Sequence, residues 1–388
     1  MRAAMVGWGH TRFGKHDGLS LEDLIVDASR QALEDACIEG SEVDGVWLGH
    51  FNSGLVSDGF CSSMVMQADP GLRFAPAMRC ENACASGSAA LYAALDAVNA
   101  GRCRVALVVG VEKMTERDTA GVTQALGGAS YQRDERGMSF PQIFARFAQA
   151  YSDAFGDPSE ALARISVKNH ANAMRNPLAH MRRLVDFDHC MTVSDKNPMI
   201  AAPLKLSDCS LISDGAAAVV VAHPAEFGRF RRVVGFRAAK MVSDYLPLSA
   251  KRLELFEGPA LAVQRAYAEA GIGVDDLDLA EVHDCFTIAE LQAVEALGLT
   301  AVGQGGAVVR ERQTERAGRL PINLSGGLKA KGHPVGATGV SMHVTVSRQL
   351  LGEAGEMQLE SRPKLGLCLN LGGGAVNAAV SILEPMKA

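Results

Sequence analysis

The apolar positions of this chain fall into short runs of two kinds, and the kinds alternate. The stretch "LEDLIVDASRQALEDACIEGSEVDGVWLGH", from residue 21, sets its apolar residues at helical spacing and then turns. It continues through an acidic-apolar "EVDGV" into a strand-like end. From residue 260, "ALAVQRAYAEAGIGVDDLDLAEVHD" repeats that plan, with Ile38 matching Ile272, Val43 matching Leu277 and Asp44 matching Asp278. A second pair follows in the same order. "SGSAALYAALDAVNAGRCRVALVVGVE" and "TGVSMHVTVSRQLLGE…PKLGLCLNLGGG" each predict a small-residue helix, a turn and a buried strand. "SDGAAAVVVAHP" and "GGAVNAAVSILEP" then read as closing strands. Continuous apolar runs suit strands covered on both faces, as in a mixed α/β sheet. Three matches in one order predict a duplicated scaffold.

Residues 115–210 interrupt the first copy, between its buried strand and its closing strand. This insertion is rich in Met, Arg, His and Asn and carries helical pieces such as "FPQIFARFAQAYSDAF" and "EALARISVKNHANAMR". A long excursion from one half of a duplicated scaffold reads as a functional cap. The expected organisation is an N-terminal half at 1–114 and 211–227, a loop domain at 115–210, and a C-terminal half at 228–388.

Bulk properties narrow the setting. The 388 residues are 48% hydrophobic and 21% charged, the composition of a globular protein with large cores. A net charge of −6 without a basic block argues against nucleic acid as a partner. No run of about 18 apolar residues suggests a membrane span, and "MRAAMVGWGHTRFG" lacks the core of a signal peptide. The nine cysteines are scattered through apolar segments, which predicts reduced thiols in a cytoplasm.

Four segments combine reactive side chains with glycine-rich surroundings. In "CENACASGSAALYAAL", Cys84 stands at a predicted helix start, where free N–H groups and the helix dipole favour a thiolate. A packed structural thiol is the other reading there, and Cys80, a turn earlier, reads as structural. Metal ligation by the two lacks the paired spacing such sites need. "EVHDCF" puts His283, Asp284 and Cys285 at a strand end, where open α/β sheets bind ligands. "NLSGGLKAKGHPVGATGVS" holds His333 in a glycine-rich loop that is neither a phosphate loop nor a dinucleotide fingerprint. Its readings are a general base or a satisfied turn histidine. "CLNLGGGA" runs a buried strand into glycines, whose N–H groups can hold an oxyanion or merely allow close backbone approach.

Together, "NACASG", "HDCF", "GHPVGATG" and the terminal "GGG" strand resemble the thiolase family over essentially the whole chain. "HDCF" resembles the sterol-carrier-protein-2-type thiolases in particular. The resemblance implies two duplicated βαβαβαββ halves in five layers (αβαβα) with an inserted loop domain, assembled as a homodimer or a dimer of dimers. It implies thiolytic cleavage of a 3-oxoacyl-CoA by coenzyme A as cosubstrate, or the reverse Claisen condensation, with no permanently bound cofactor and no metal. By position, Cys84 would be the acyl-accepting nucleophile and His333 the base that takes the thiol proton. Cys285 would be the second acid/base, and His283 a donor to the enolate. The N–H groups of Cys84 and Gly372 would hold the tetrahedral oxyanion.

The chain departs from most thiolases at Asn370, where a C-x-G-G-G motif carries the second cysteine. Cys285 replaces it. Cys368, about 6.6 Å away along a strand, is badly placed to do so. The family implies a CoA site between loop domain and scaffold, with His170, Arg175, Arg182, Arg183 and Lys196 as basic candidates. Competing readings are a thiolase-fold synthase, C-acyltransferase or retro-aldolase, alone or with a small zinc-ribbon/OB-fold subunit, and a non-catalytic acyl-CoA-binding chain. Acyl-chain specificity is not legible at this level.

Overall fold

A computed structural model describes residues 2–387. The first copy runs β1 (Ala4–His10), α1 (Leu21–Ala36), β2 (Gly45–Gly49), β3 (Ala77–Cys80), α2 (Ser86–Asn99) and β4 (Val105–Glu112). The inserted segment holds α3 (Thr119–Gly127), α4 (Phe140–Phe155), α5 (Ser159–Ala173), α6 (Phe187–Met191) and the hairpin β5 (Met199–Ala201)–β6 (Leu204–Lys205). β7 (Gly215–Ala222) closes the copy. The second copy runs β8 (Val233–Ser243), α7 (Glu257–Ala270), β9 (Leu279–Val282), α8 (Thr287–Ala296) and α9 (Gly305–Arg310). It ends with α10 (Thr338–Leu351), β10 (Gly366–Gly372) and β11 (Asn377–Met386).

Strand order records the duplication. The sheet reads β3-β2-β4-β7-β1-β8-β11-β10-β9, so β1-β7-β4-β2 in one half mirrors β8-β11-β10-β9 in the other. Within the sheet the halves pair through β1 and β8, at Ala4–Gly235 and Met5–Val234. The paired aspartates do the same work in each copy. Asp44 accepts from the N–H groups of Arg104 and Val105, and Asp278 from those of Lys364 and Leu365, at 2.6–3.0 Å. Each carboxylate thereby ties the start of one parallel strand to the start of its neighbour.

Each helix earns its layer from its apolar stripe. α1 buries Leu21, Leu24, Ile25, Ala28 and Ala32 against β1, β7 and β4, and a Ser20–Asp23 capping box starts it. α7 covers β8 and β11 on the far side. Between the two halves lie α2 and α10, and α10 touches strands of both. Leu91, Ala94, Val340 and Val344 belong to one apolar cluster in this middle layer, where each buried Leu or Val stabilises by about 1.5–3 kcal/mol. The result is the five-layer αβαβα arrangement. Glycine permits its tight centre: a Cβ on Gly87 would lie 2.6 Å from the Gly336 carbonyl oxygen, and one on Gly339 would lie 2.4 Å from Ser88 Oγ.

The inserted segment spans both halves. Phe144 of α4 stacks on Phe286 at 4.7 Å, and α5 packs on α8 and on a π-helical turn at Gly327–Lys331. On the other side, the Leu178 carbonyl accepts from Phe13 N–H at 2.9 Å. No described helix is long and apolar enough to cross a membrane.

Candidate active site

Cys84 sits in a strained turn between β3 and α2. Ala83 has φ +49°, a left-handed conformation rare for a residue with a Cβ. Ser86 holds the turn by accepting from Asn82 N–H at 2.9 Å and donating to the Ala83 carbonyl at 2.6 Å. The thiol is buried. Burial pushes it up to about 12, while the N–H groups of Gly373 and of Cys84 itself pull down, and Glu112 and Glu81 push further up. Neither amide belongs to the first turn of α2, which begins at Ser86, and desolvation outweighs both. At rest Cys84 is a thiol.

The second strand end supplies His283 and Cys285, and a loop on the same edge supplies His333. One nitrogen from each of the two rings and the Cys84 sulfur all lie within 4.8 Å of one another. The rings meet edge to face with centroids 5.0 Å apart. Burial, then the Lys331 charge, lowers His333 to about 3, and burial with His333 as neighbour lowers His283 well below its ordinary value. Both imidazoles are therefore neutral at pH 7. The Cys285 thiol is raised well above 9, first by burial and then by the nearby Cys84.

Buried carboxylates hold these loops in register. Asp284 accepts from Leu328 N–H, Lys329 N–H and Asn169 Nδ2 at 2.6–3.2 Å, which fastens the "HDCF" segment to the turn preceding His333. Glu112, at the end of β4, accepts from Phe51, Asn52 and Gly336 N–H groups at 3.0–3.1 Å and lies 3.0 Å from His50 Nδ1. Sequence reasoning missed Glu112. The available signal was an acidic residue ending a long apolar strand, because a carboxylate is almost never fully buried unless paired.

Cys84, Cys285, His333 and Gly373 line the head of a cavity of about 230 Å³. Its body is apolar, built by Val122 and Leu126 of α3, Phe140 of α4, and Ile200 and Leu206 near the hairpin. Gly372 ends β10 beside Asn82, and its neighbour Gly373 lines the cavity with Cys84. Cys368 is buried within β10 and does not line the cavity, and neither does Cys80. None of His170, Arg175, Arg182, Arg183 and Lys196 lines it either. Arg175 and Arg182 face a separate cavity of about 440 Å³ with Arg348.

The Cys84–His283–His333 cluster has the donor atoms of a metal site but the wrong outer partner. A metal-bound histidine donates its other ring N–H to an acceptor. His283 Nδ1 instead faces the Asn370 amide nitrogen, a donor, at 3.0 Å. The set suits proton transfer and nucleophilic attack.

Comparison with known proteins identifies the family. Residues 2–189 match the model of the thiolase N-terminal domain, and residues 242–385 that of the thiolase C-terminal domain-like family. An acetyl-CoA acetyltransferase of Methanothermobacter thermautotrophicus is 38% identical, covering 98% of this chain and 99% of that protein. Human sterol carrier protein 2 is 32% identical, covering 97% of this chain and 71% of its own length. The solved Ltp2-ChsH2(DUF35) aldolase superposes with a TM-score of 0.83 at 24% identity, covering 99% of this chain and 97% of that one. This chain belongs to the thiolase family.

Proposed function

We propose that this chain is a thiolase, an acyl-CoA C-acyltransferase that cleaves a 3-oxoacyl-CoA with coenzyme A or runs the reverse Claisen condensation. The observation that carries the reading is the meeting of one thiol and two neutral imidazoles within 4.8 Å, with a second thiol lining the same apolar cavity.

In the cleavage direction, His333 removes the Cys84 proton as the sulfur attacks the C3 ketone of the substrate. The C2–C3 bond breaks, and its electron pair moves into the enolate of the departing thioester, whose oxygen accepts from His283. Cys285 gives its proton to C2 and acetyl-CoA leaves. Incoming CoA yields its thiol proton to the Cys285 thiolate and attacks the acyl-Cys84 carbonyl, whose oxygen is held by backbone N–H groups. Collapse releases the shortened acyl-CoA, and Cys84 regains its proton from His333. Cys285, protonated at rest, is suited to the first step, and the low-pKa His333 is suited to remaining a free base until attack begins. The balance needs no redox cofactor and no metal.

The purified chain, given a 3-oxoacyl-CoA and CoA, is expected to release two shorter acyl-CoAs. Cys84→Ala is expected to abolish this, and Cys285→Ala to leave an acyl group on Cys84 detectable by mass. Full activity in Cys84→Ala would sink the mechanism. Activity seen only after a small second subunit is added would instead support the assembly named for the Ltp2-ChsH2(DUF35) neighbour.

The homodimer forms through the free edge of β3. That edge strand has no outer partner among the described residues, and Met78 is 49% and nearby Phe74 86% exposed. Nine unpaired cysteines fit a reducing cytoplasm and a role in acyl-CoA breakdown or synthesis there.

A further inference from the structure

The two active-site histidines are chemically identical in the sequence, and their outer partners make them opposites. Asn370 is fully buried in β10. Its Oδ1 accepts from the Ser88 hydroxyl at 2.8 Å, and its Nδ2 donates to the Cys84 carbonyl at 3.2 Å. A backbone carbonyl only accepts, so the amide nitrogen, not the oxygen, must face Cys84. The same nitrogen lies 3.0 Å from His283 Nδ1. An amide nitrogen offers hydrogens and accepts none, so His283 Nδ1 is bare and the ring proton sits on Nε2.

His333 is arranged the other way. Its Nδ1 lies 2.7 Å from Thr338 Oγ1, and that hydroxyl spends its own hydrogen on the Pro334 carbonyl at 3.0 Å. Thr338 can then only accept from the ring. His333 is protonated on Nδ1, and its Nε2 is bare. One histidine presents a donor and its neighbour an acceptor.

We propose that Asn370 is a positioning residue that holds His283 as an Nε2–H donor to the enolate oxygen, while Thr338 holds His333 as an Nε2 base. The assignment of the two protons stands on geometry alone; the roles given to them rest on the thiolase reading. The departure at Asn370 from the usual cysteine thereby acquires a task. With Cys285 serving as the proton donor, position 370 is free to set a tautomer. Ser88 and Gly339 complete the device. Ser88 orients the amide, and Gly339 leaves room for it, since a Cβ there would lie 2.6 Å from Asn370 Oδ1.

Two measurements test this. In wild-type protein labelled with ¹⁵N-histidine, the ring signals of His283, assigned with a His283→Gln variant, are expected to show bare Nδ1 and protonated Nε2. Those of His333 are expected to show the reverse. The same tautomer at both positions, or a proton on His283 Nδ1, would overturn the proposal whatever the enzyme does. In Asn370→Asp, the carboxylate can only accept, so the His283 proton is drawn to Nδ1. Cleavage of a 3-oxoacyl-CoA is then expected to fall in kcat by about 10²–10³-fold, the scale of one lost oxyanion donor, with little change in KM. Exchange of isotope label between acetyl-CoA and free CoA passes through acyl-Cys84 without an enolate, and is expected to fall at least tenfold less than cleavage, the shared part of the loss coming from the broken bond to the Cys84 carbonyl. Equal loss of both reactions would make Asn370 a structural residue only, and undiminished cleavage would remove it from the mechanism. If wild type neither cleaves nor exchanges, the thiolase reading fails, and the tautomers remain decided by the ring signals.

Discussion

Replacing Glu112 with Gln tests whether one buried carboxylate sets the histidine loop. All of its acceptor capacity is in use. Oε2 accepts from Phe51 and Gly336 N–H groups, and Oε1 accepts from Asn52 N–H and faces His50 Nδ1. Glu112 and His50 are both fully buried, and the carboxylate raises His50 to about 10 against a burial effect that alone would lower it. Glutamine keeps one oxygen. Placed to serve Phe51 and Gly336, it turns two charge-assisted bonds into neutral ones, a loss of about 1 kcal/mol each. Its NH₂ then confronts Asn52 N–H, and an orphaned buried donor costs about 1–3 kcal/mol. His50 loses its counter-ion and becomes neutral. The sum is about 3–5 kcal/mol, the range found for breaking a buried ion pair. Urea unfolding at fixed protein concentration measures it, with an unchanged m-value confirming that the native state was the one altered. Because Gly336 lies three residues beyond His333, kcat for thiolysis is expected to fall at least tenfold as well. A loss below about 1 kcal/mol with wild-type kcat would refute the claim that Glu112 anchors this loop.

Other outcomes follow from the same geometry. Gly339→Ala places a methyl 2.4 Å from Ser88 Oγ, so it is expected to destabilise by about 1–3 kcal/mol and to lower kcat through Asn370; unchanged urea midpoint and rate would contradict the close approach of α2 and α10. Burial lowers His10 and His333 to about 3, and His170 and His343 to about 4. The unfolded chain binds protons at these sites below about pH 6.5 and the folded chain does not, so their contribution to stability is full above that value and falls as pH drops toward 4, four such sites outweighing the opposite contribution of His50, which is held up to about 10. Each such histidine steepens the fall by up to about 1.4 kcal/mol per pH unit, and urea midpoints at pH 7, 6 and 5 that do not decline would refute the sign. Met78→Asp is expected to split the dimer, read as halved mass in light scattering; a dimer that survives would move the interface away from β3.

The sequence was most legible where a residue's role depends on its own neighbours. The apolar spacing of residues 21–36 located α1, and the match of Asp44 with Asp278 marked a repeat whose two aspartates the fold uses as equivalent strand ties, because such patterns are set within a turn or a strand. The glycine loops around Cys84, His333 and Gly373 were visible for the same reason. Protonation was not. Cys84 looked like a thiolate because its helix start was local, but its burial is a sum over atoms from both halves, and that sum decided for the thiol.

What the chain determined alone was therefore its elements, its duplication and the cysteines and histidines that meet at the candidate site. What only the tertiary structure decided was which of them carries a proton, and where. Asn370 is 87 residues from His283 and 286 from Cys84, and Glu112 is 224 from Gly336. The physical reason is that desolvation and hydrogen-bond direction depend on groups brought together in space, so two histidines with the same formula meet unlike partners, an amide nitrogen at His283 and a hydroxyl at His333, only when the two halves close on each other.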